Sequence, residues 1–323
     1  MDAALIGHDE AWREWRAAMG GARMHHAWIL AGREGLGKAH FAAAAAAELV
    51  ARGTSAPQPG IDAHPDILGL EPLPANEDEA KKASEGRKYL TKRSISVDQV
   101  RAMERRLVTR PTLGPERAVI IDAADDLEKS AVNALLKSLE EPPQGTVFLL
   151  VSHRLGRLLP TIRSRCAVIR FAPLPDDDVA RAVAREVPEA DAATRADAIA
   201  LAAGSPGEAI RLATLGIAGV RRLFETIAQT GDPDLAGRAR LAAMFGPRPD
   251  RETQLAVIEA AQRFLAARLA VASPLQRLCI ADAAEALTRL GNEAPTYNYE
   301  PALLLGEIAG LLATLAKPRG EAR

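Results

Sequence analysis

Two cysteines, Cys166 and Cys279, are all that the 323 residues contain, and they lie far apart. A disulfide-stapled scaffold is thereby excluded, and the usage suits a reducing cytosol. Neither sign of charge is in excess. The formal net charge is −1, so no bulk attraction to nucleic acid or membrane is implied, and only a local basic face could supply one. No uninterrupted apolar run approaches the roughly 20 residues of a membrane-spanning helix. The opening MDAALIGHDEAW lacks a basic segment followed by an apolar one, so neither a signal peptide nor a membrane partner is expected. Repeats and glycine-rich tracts are missing, and tryptophan does not recur after Trp28. What is present is an apolar fraction of 48%, ample for packed cores, on a chain long enough for two or three domains. The expectation is a soluble cytoplasmic protein.

The first half alternates strand and helix signals. AWIL (27–30), ILGL (67–70), RAVIID (117–122), TVFLLVS (146–152) and AVIRF (167–171) are short apolar or β-branched runs. Between them, the alanine-rich GKAHFAAAAAAELVA predicts a helix. SVDQVRAMERRLVTR predicts another, with Ser96 and Gln99 in capping-box spacing and Val100, Met103 and Leu107 on one face. EKSAVNALLKSLEE runs to a stop at Pro142–Pro143. Strands alternating with helices predict a mainly parallel, doubly wound α/β sheet over residues 1–173. A small helical unit is expected over 174–215, and an all-α region of four or five amphipathic helices over 216–323. The charged stretch 73–94 predicts a mobile surface loop.

The segment ILAGREGLGKAHFA carries a phosphate-binding pattern, G-x-x-x-x-G-K, in Gly32, Gly37 and Lys38, with Gly35 in the turn. It follows a strand and opens a helix, the context in which backbone N–H groups cradle a phosphate and a lysine adds a point charge. Asp122, at the end of VIID, stands where a magnesium-binding acid belongs. Two positions depart from a hydrolytic site. The hydroxyl expected after the lysine is replaced by Ala39, and the acid expected after Asp122 by Ala123. Loss of a positioned general base costs roughly 10²- to 10⁴-fold in rate. ATP or ADP binding is therefore possible, turnover is not expected, and Cys166 reads as a small buried residue without thiolate chemistry.

HHAWILAGREGLGKAHFA, HPDILGL, ISVDQVRAM, AVIIDAADDLEKSAVNALLKSLEEPP and LLPTIRSRC together resemble the delta-prime family of bacterial DNA polymerase III clamp-loader subunits, which are AAA+ proteins. The resemblance is close over about the first 215 residues and covers the remainder only in helical character. It implies a P-loop AAA+ core, a helical lid and a collar that joins five subunits into a ring. The partners so implied are gamma/tau and delta subunits, with the sliding clamp and primer-template DNA reached through the complex. It further implies that Arg165 of the Ser-Arg-Cys element enters the ATP site of a neighbouring subunit. A local carboxylate partner for Arg165 is the competing reading, and Arg163 the competing arginine.

By the same resemblance Ser152 stands where a γ-phosphate sensor sits, although a strand-end serine capping the next helix would look the same. The lid's sensor arginine would fall at Gly207, so it is lacking. Many relatives carry four cysteines ahead of the His-Pro-Asp segment. Residues 49–63 have none, so no zinc or other metal is expected and His64 reads as structural. Arg101 and Arg105 flank the apolar stripe of the 96–109 helix and are candidate DNA-backbone contacts, against the alternative of a solvated basic face. Two other functions stay open at this point. One is an ATP-hydrolysing clamp-loader motor subunit that tolerates Ala39. The other is a nucleotide-binding P-loop protein outside replication.

Overall fold

The computed structural model describes residues 5–21, 24–217, 219–246, 248–294, 297 and 299–316. The chain divides into two compact units, Met1–Leu174 and Pro175–Arg323.

The first unit is built from α1 (Asp9–Gly20), β1 (Ala27–Ala31), α2 (Lys38–Ala51), β2 (Ile67–Leu70), α3 (Glu77–Ser84), α4 (Val97–Leu107), β3 (Arg117–Ile121), α5 (Lys129–Glu140), β4 (Thr146–Ser152), α6 (Pro160–Arg163) and β5 (Ala167–Arg170). The five strands pair in parallel in the order β2-β3-β4-β1-β5. All five expected strands are found, and the reason they read as continuous apolar runs is visible in the layers. Side chains alternate across a strand, so Ile29 of β1 joins Ile121, Phe148, Leu135 and Leu139 on one face. Trp28 and Leu30 join Trp15, Phe41 and Leu49 on the other. With both faces covered, the middle of the central strand β4 (147–151) is wholly apolar, and every residue of β4, including the polar Thr146 and Ser152 at its ends, is buried.

Helix α4 buries Val100, Met103 and Leu107, as its stripe predicts. Its start is closed by the Ser96 backbone N–H donating to Gln99 Oε1 at 3.1 Å. The sequence reading passed over α1, whose fully buried Trp15 meets Trp28 edge-on at 5.8 Å. The 73–94 stretch departs from the loop expected of it, because it contains α3 and a short antiparallel closure. Pro74 bridges Thr91, Ala75 donates its N–H to Leu90 O, and Lys92 donates to Leu73 O. Sequence polarity suggested a loop, but Asn76 Oδ1 caps α3 by accepting from Glu79 N at 2.9 Å, and capping is a local signal that polarity hides.

The second unit is helical throughout the described residues. It comprises α7 (Asp176–Glu186), α8 (Ala192–Ala202), α9 (Pro206–Thr214), α10 (Val220–Thr230), α11 (Ala236–Met244), α12 (Arg251–Leu269), α13 (Pro274–Glu293) and α14 (Pro301–Ala313). Helices α7 to α9 pack on one another, α12 lies along α13, and α14 packs on α10 and α11. Ion pairs tie α9 to α12, where Glu208 meets Arg263 and Arg211 meets Glu259. Phe224 and Phe264 pack edge-on at 5.7 Å inside the bundle. Among the described residues, no helix is long and apolar enough to cross a membrane.

Candidate nucleotide cradle and edge arginine

The strand register decides what meets what. Ala31 of β1 aligns with Ser152 of β4 and with Arg170 of β5, and Ile121 of β3 aligns with Leu150. The residues that follow, Gly32 and Asp122, therefore emerge with Ser152 at the carboxyl edge of the sheet, where open α/β sheets hold ligands. Gly32 is dictated by proximity, since a Cβ there would lie 2.6 Å from Phe171 O. Gly37 holds φ +81° at the start of α2, and its free side is covered by Leu5, whose Cδ1 would be 2.7 Å from a Cβ. His8 Nε2 lies 2.8 Å from Leu36 O, so the segment before α1 is tied to the same turn.

Lys38 is 2% exposed and donates from Nζ to Arg33 O at 2.5 Å, back into its own loop. Burial lowers its pKa to about 8, against the pull of Asp122, Glu34 and Asp125. Burial likewise raises the pKa of Asp122, opposed by His153 and Lys38. The loop thus fits a phosphate in its backbone turn and its lysine. It does not fit the magnesium of such sites, because Ala39 offers no oxygen beside Asp122. Ala123 is buried and apolar where a water-activating acid would stand.

Ser152 does not cap the short helical turn Leu155–Arg157, which has no side-chain cap. Its hydroxyl donates to Asp125 Oδ1 at 3.3 Å, while its carbonyl accepts Gly32 N at 3.2 Å. Asp125 is the residue that sequence reading missed. Its carboxylate also accepts His153 N at 2.6 Å and Arg154 N at 3.1 Å, closing the turn after β4 from across the sheet edge. The run of acids in DAADD was the available signal, because three carboxylates beside a strand end are seldom all solvent-facing.

Arg165 lies between α6 and the edge strand β5. Its Nη2 donates to Glu140 Oε1 at 2.6 Å and its Nη1 to Thr161 O at 2.9 Å. The side chain is 33% exposed and that of Glu140 51%. The carboxylate belongs to the Leu-Glu-Glu-Pro-Pro block, so two segments 25 residues apart meet here. Arg163 is exposed on α6. The neighbouring Cys166 thiol is pushed up to about 12 by burial, which leaves it inert.

Arg101 and Arg105 both lie on the exposed side of α4, and Arg101 faces Asp98 at 3.7 Å. Arg106 is turned instead to Pro65 O. His64 accepts Asp66 N at Nδ1 and lies 2.7 Å from Gln58 Oε1 through Nε2. Gly207 is exposed in the first turn of α9.

A family model described as DNA polymerase III, delta subunit matches residues 7–175, more than half of the chain. The chain belongs to the DNA polymerase III delta-subunit family. Among relatives, this family member is 36% identical over 214 residues to "DNA polymerase III subunit delta'" of Pseudomonas aeruginosa, an alignment covering 63% of this chain and 60% of that protein. It is 41% identical over 121 residues to the Escherichia coli protein of the same description, covering 38% and 36%. The chain thus matches less than two thirds of either relative's length. It is also 29% identical over 191 residues to "DNA polymerase III subunit gamma/tau" of Mycobacterium bovis, covering 57% and 30%. In fold, it aligns over 96% of its length with the whole of a gamma subunit-related protein of DNA polymerase III from Thermotoga maritima, at TM-score 0.52 and 19% identity. The family member has the AAA+ fold, a five-stranded parallel core followed by helices.

Proposed function

We propose that the chain is a clamp-loader subunit of the replicative DNA polymerase III, with the role of the relatives described as delta'. In this role it does not turn over ATP. It holds its place in a five-subunit ring with gamma/tau and delta subunits, and it supplies Arg165 to the ATP site of a neighbour during loading of the sliding clamp onto primer-template DNA. Residues 174–215 act as the lid and 216–323 as the collar through which the ring assembles. Arg101 and Arg105 track the DNA backbone.

The observation that carries this reading is the contrast between Arg165 and the chain's own cradle. A guanidinium one third exposed, beside a half-exposed Glu140, can exchange that partner for a phosphate. At a neighbour's site its charge would stabilise the transferring phosphoryl group, an effect of roughly 10³- to 10⁵-fold in other nucleotide hydrolases. The chain's own loop, by contrast, has Ala39 and Ala123 where a metal ligand and a base are needed.

The test is a reconstituted complex carrying Arg165→Ala. The expected result is normal assembly and loss of the share of DNA- and clamp-stimulated hydrolysis due to the one site facing this subunit, with Arg165→Lys rescuing poorly because the planar fork is gone. The purified chain alone should hydrolyse no ATP above background. Unchanged hydrolysis and clamp loading by the Arg165→Ala complex would show the arginine to be structural.

A further inference from the structure

The stretch between β2 and α4 belongs to no part of the cradle, yet it is the most densely basic segment of the first unit. From Lys81 to Arg93 it carries Lys81, Lys82, Arg87, Lys88, Lys92 and Arg93 against the single acid Glu85. Every residue from Ser84 to Arg93 is exposed. We propose that this arm is a contact for the phosphate backbone of nucleic acid, distinct from the Arg101 and Arg105 face of α4.

The arm is built to be held out rather than to collapse. Its anchor is Glu79, 7% exposed at the base of α3. One carboxylate oxygen accepts Leu90 N at 2.7 Å, and the other takes Lys82 Nζ at 2.6 Å. The backbone closure at Ala75–Leu90 and Leu73–Lys92 fixes the two strands of the arm at its root. A buried acid thus ties Lys82 and the Leu90 backbone to the root of the arm. Arg87 pairs with the exposed Glu85 at 2.9 Å, and the excess of exposed cations over that one acid points to a ligand with many negative charges in a row.

The occupant is set by composition. Protein interfaces have apolar, charge-depleted centres and are poor in lysine. Here four of the six cations are lysines, and the exposed apolar residues between them are Tyr89 and Leu90 alone. Phosphate contacts need point charges and no base-reading groups. The chain's net charge of −1 does not oppose this, because charges beyond about 8–10 Å are screened at cellular salt. Preferring DNA over other polyanions rests on the clamp-loader reading. The two fail separately, since one is read by DNA binding of the chain alone and the other by hydrolysis in the complex.

The experiment titrates the full purified chain against a fluorescein-labelled primer-template duplex between about 50 and 200 mM salt, the range over which phosphate binding weakens steeply. Wild type should bind with a linear log–log salt dependence. The triple variant Arg87→Glu, Lys92→Glu, Arg93→Glu should bind roughly tenfold or more weakly at mid-range, with the slope reduced by about two to three, near one for each phosphate no longer neutralised. Arg87→Lys with Lys92→Arg and Arg93→Lys, which preserves charge and fold, should bind like wild type. Three results would each overturn the proposal. These are no binding by wild type at the lowest salt, equal affinity and slope for the reversed-charge variant with unchanged circular dichroism, or labelled poly-glutamate binding as tightly as the duplex.

Discussion

Arg117 and Arg165 stand in the same sheet-based unit, each beside a carboxylate, yet their surroundings hold them very differently. Arg117 opens β3 and is 4% exposed, and its partner Asp66 is fully buried at 3.5 Å. Its Nη1 donates to the carbonyls of Arg106 and Thr109 and its Nη2 to that of Arg110, while Asp66 accepts the N–H groups of Thr112 and Leu113. The pair therefore organises the whole turn that leads from α4 to β3, and nothing about it could be released without exposing a buried charge. Arg165 has one carboxylate, itself half in water, and sits at the sheet's edge. The number of ties and the loss of solvent, not the presence of a salt bridge, separate an arginine that holds a fold from one free to leave its place.

The sharpest way to break the comparison is at Arg117. Arg117→Met strands the Asp66 charge and three loop carbonyls, and removal of one partner of a buried pair costs about 3–5 kcal/mol. Urea unfolding should show a loss of that order. A loss as small as that of an exposed pair would mean that water reaches Asp66 and that the two arginines are not different in kind.

The cradle gives an effect of opposite sign. The pKa of Lys38 falls from 10.5 to about 8 because burial disfavours its charged form. The cost of keeping it charged is fully present below pH 8 and is relieved as pH rises from there towards 10.5. At 1.36 kcal/mol per pKa unit, the cost reaches roughly 3 kcal/mol at neutral pH, less what the bond to Arg33 O returns. Lys38→Met should therefore raise the melting temperature at pH 7, with the gain smaller by roughly 1 kcal/mol at pH 9. A melting temperature lowered at both values would show that the lysine is a structural tie rather than the remnant of a phosphate site.

What could be read before the structure follows the range of the signals. The five strands and the capping of α4 rest on runs and spacings of a few residues, and they were legible at once. Ala39 and Ala123 were legible because a motif defines what should stand there. Asp125, which binds Ser152 and the turn beyond it, and the Asp66–Arg117 pair were not, since each joins residues 27 to 51 apart and no local pattern marks which acid of several turns inward. The basic arm failed for a different reason. Its polarity was read as a mobile surface loop, whereas one buried glutamate and one cap order it.

The smallest effect on stability, and the finest test of the comparison, lies at Glu140. An exposed pair of this kind contributes about 0–1 kcal/mol, since water solvates both ends nearly as well apart as together. Glu140→Gln keeps the size and one acceptor oxygen but removes the charge that holds Arg165. The folded chain should lose no more than about 0.5 kcal/mol, the scale of ordinary surface changes. Its consequence in the reconstituted complex separates two roles that Arg165→Ala cannot. If Arg165 must leave Glu140 to reach a neighbour's phosphate, loosening the pair leaves stimulated hydrolysis at or slightly above the wild-type rate. If instead the guanidinium is useful only while Glu140 orients it, hydrolysis falls as far as it does for Arg165→Ala. We expect the first outcome, because Thr161 O at 2.9 Å still steers the Arg165 side chain once the charge is gone. A matching fall in the two variants would show that Arg165 and Glu140 work as one unit, and that the edge arginine is less free than its exposure suggests.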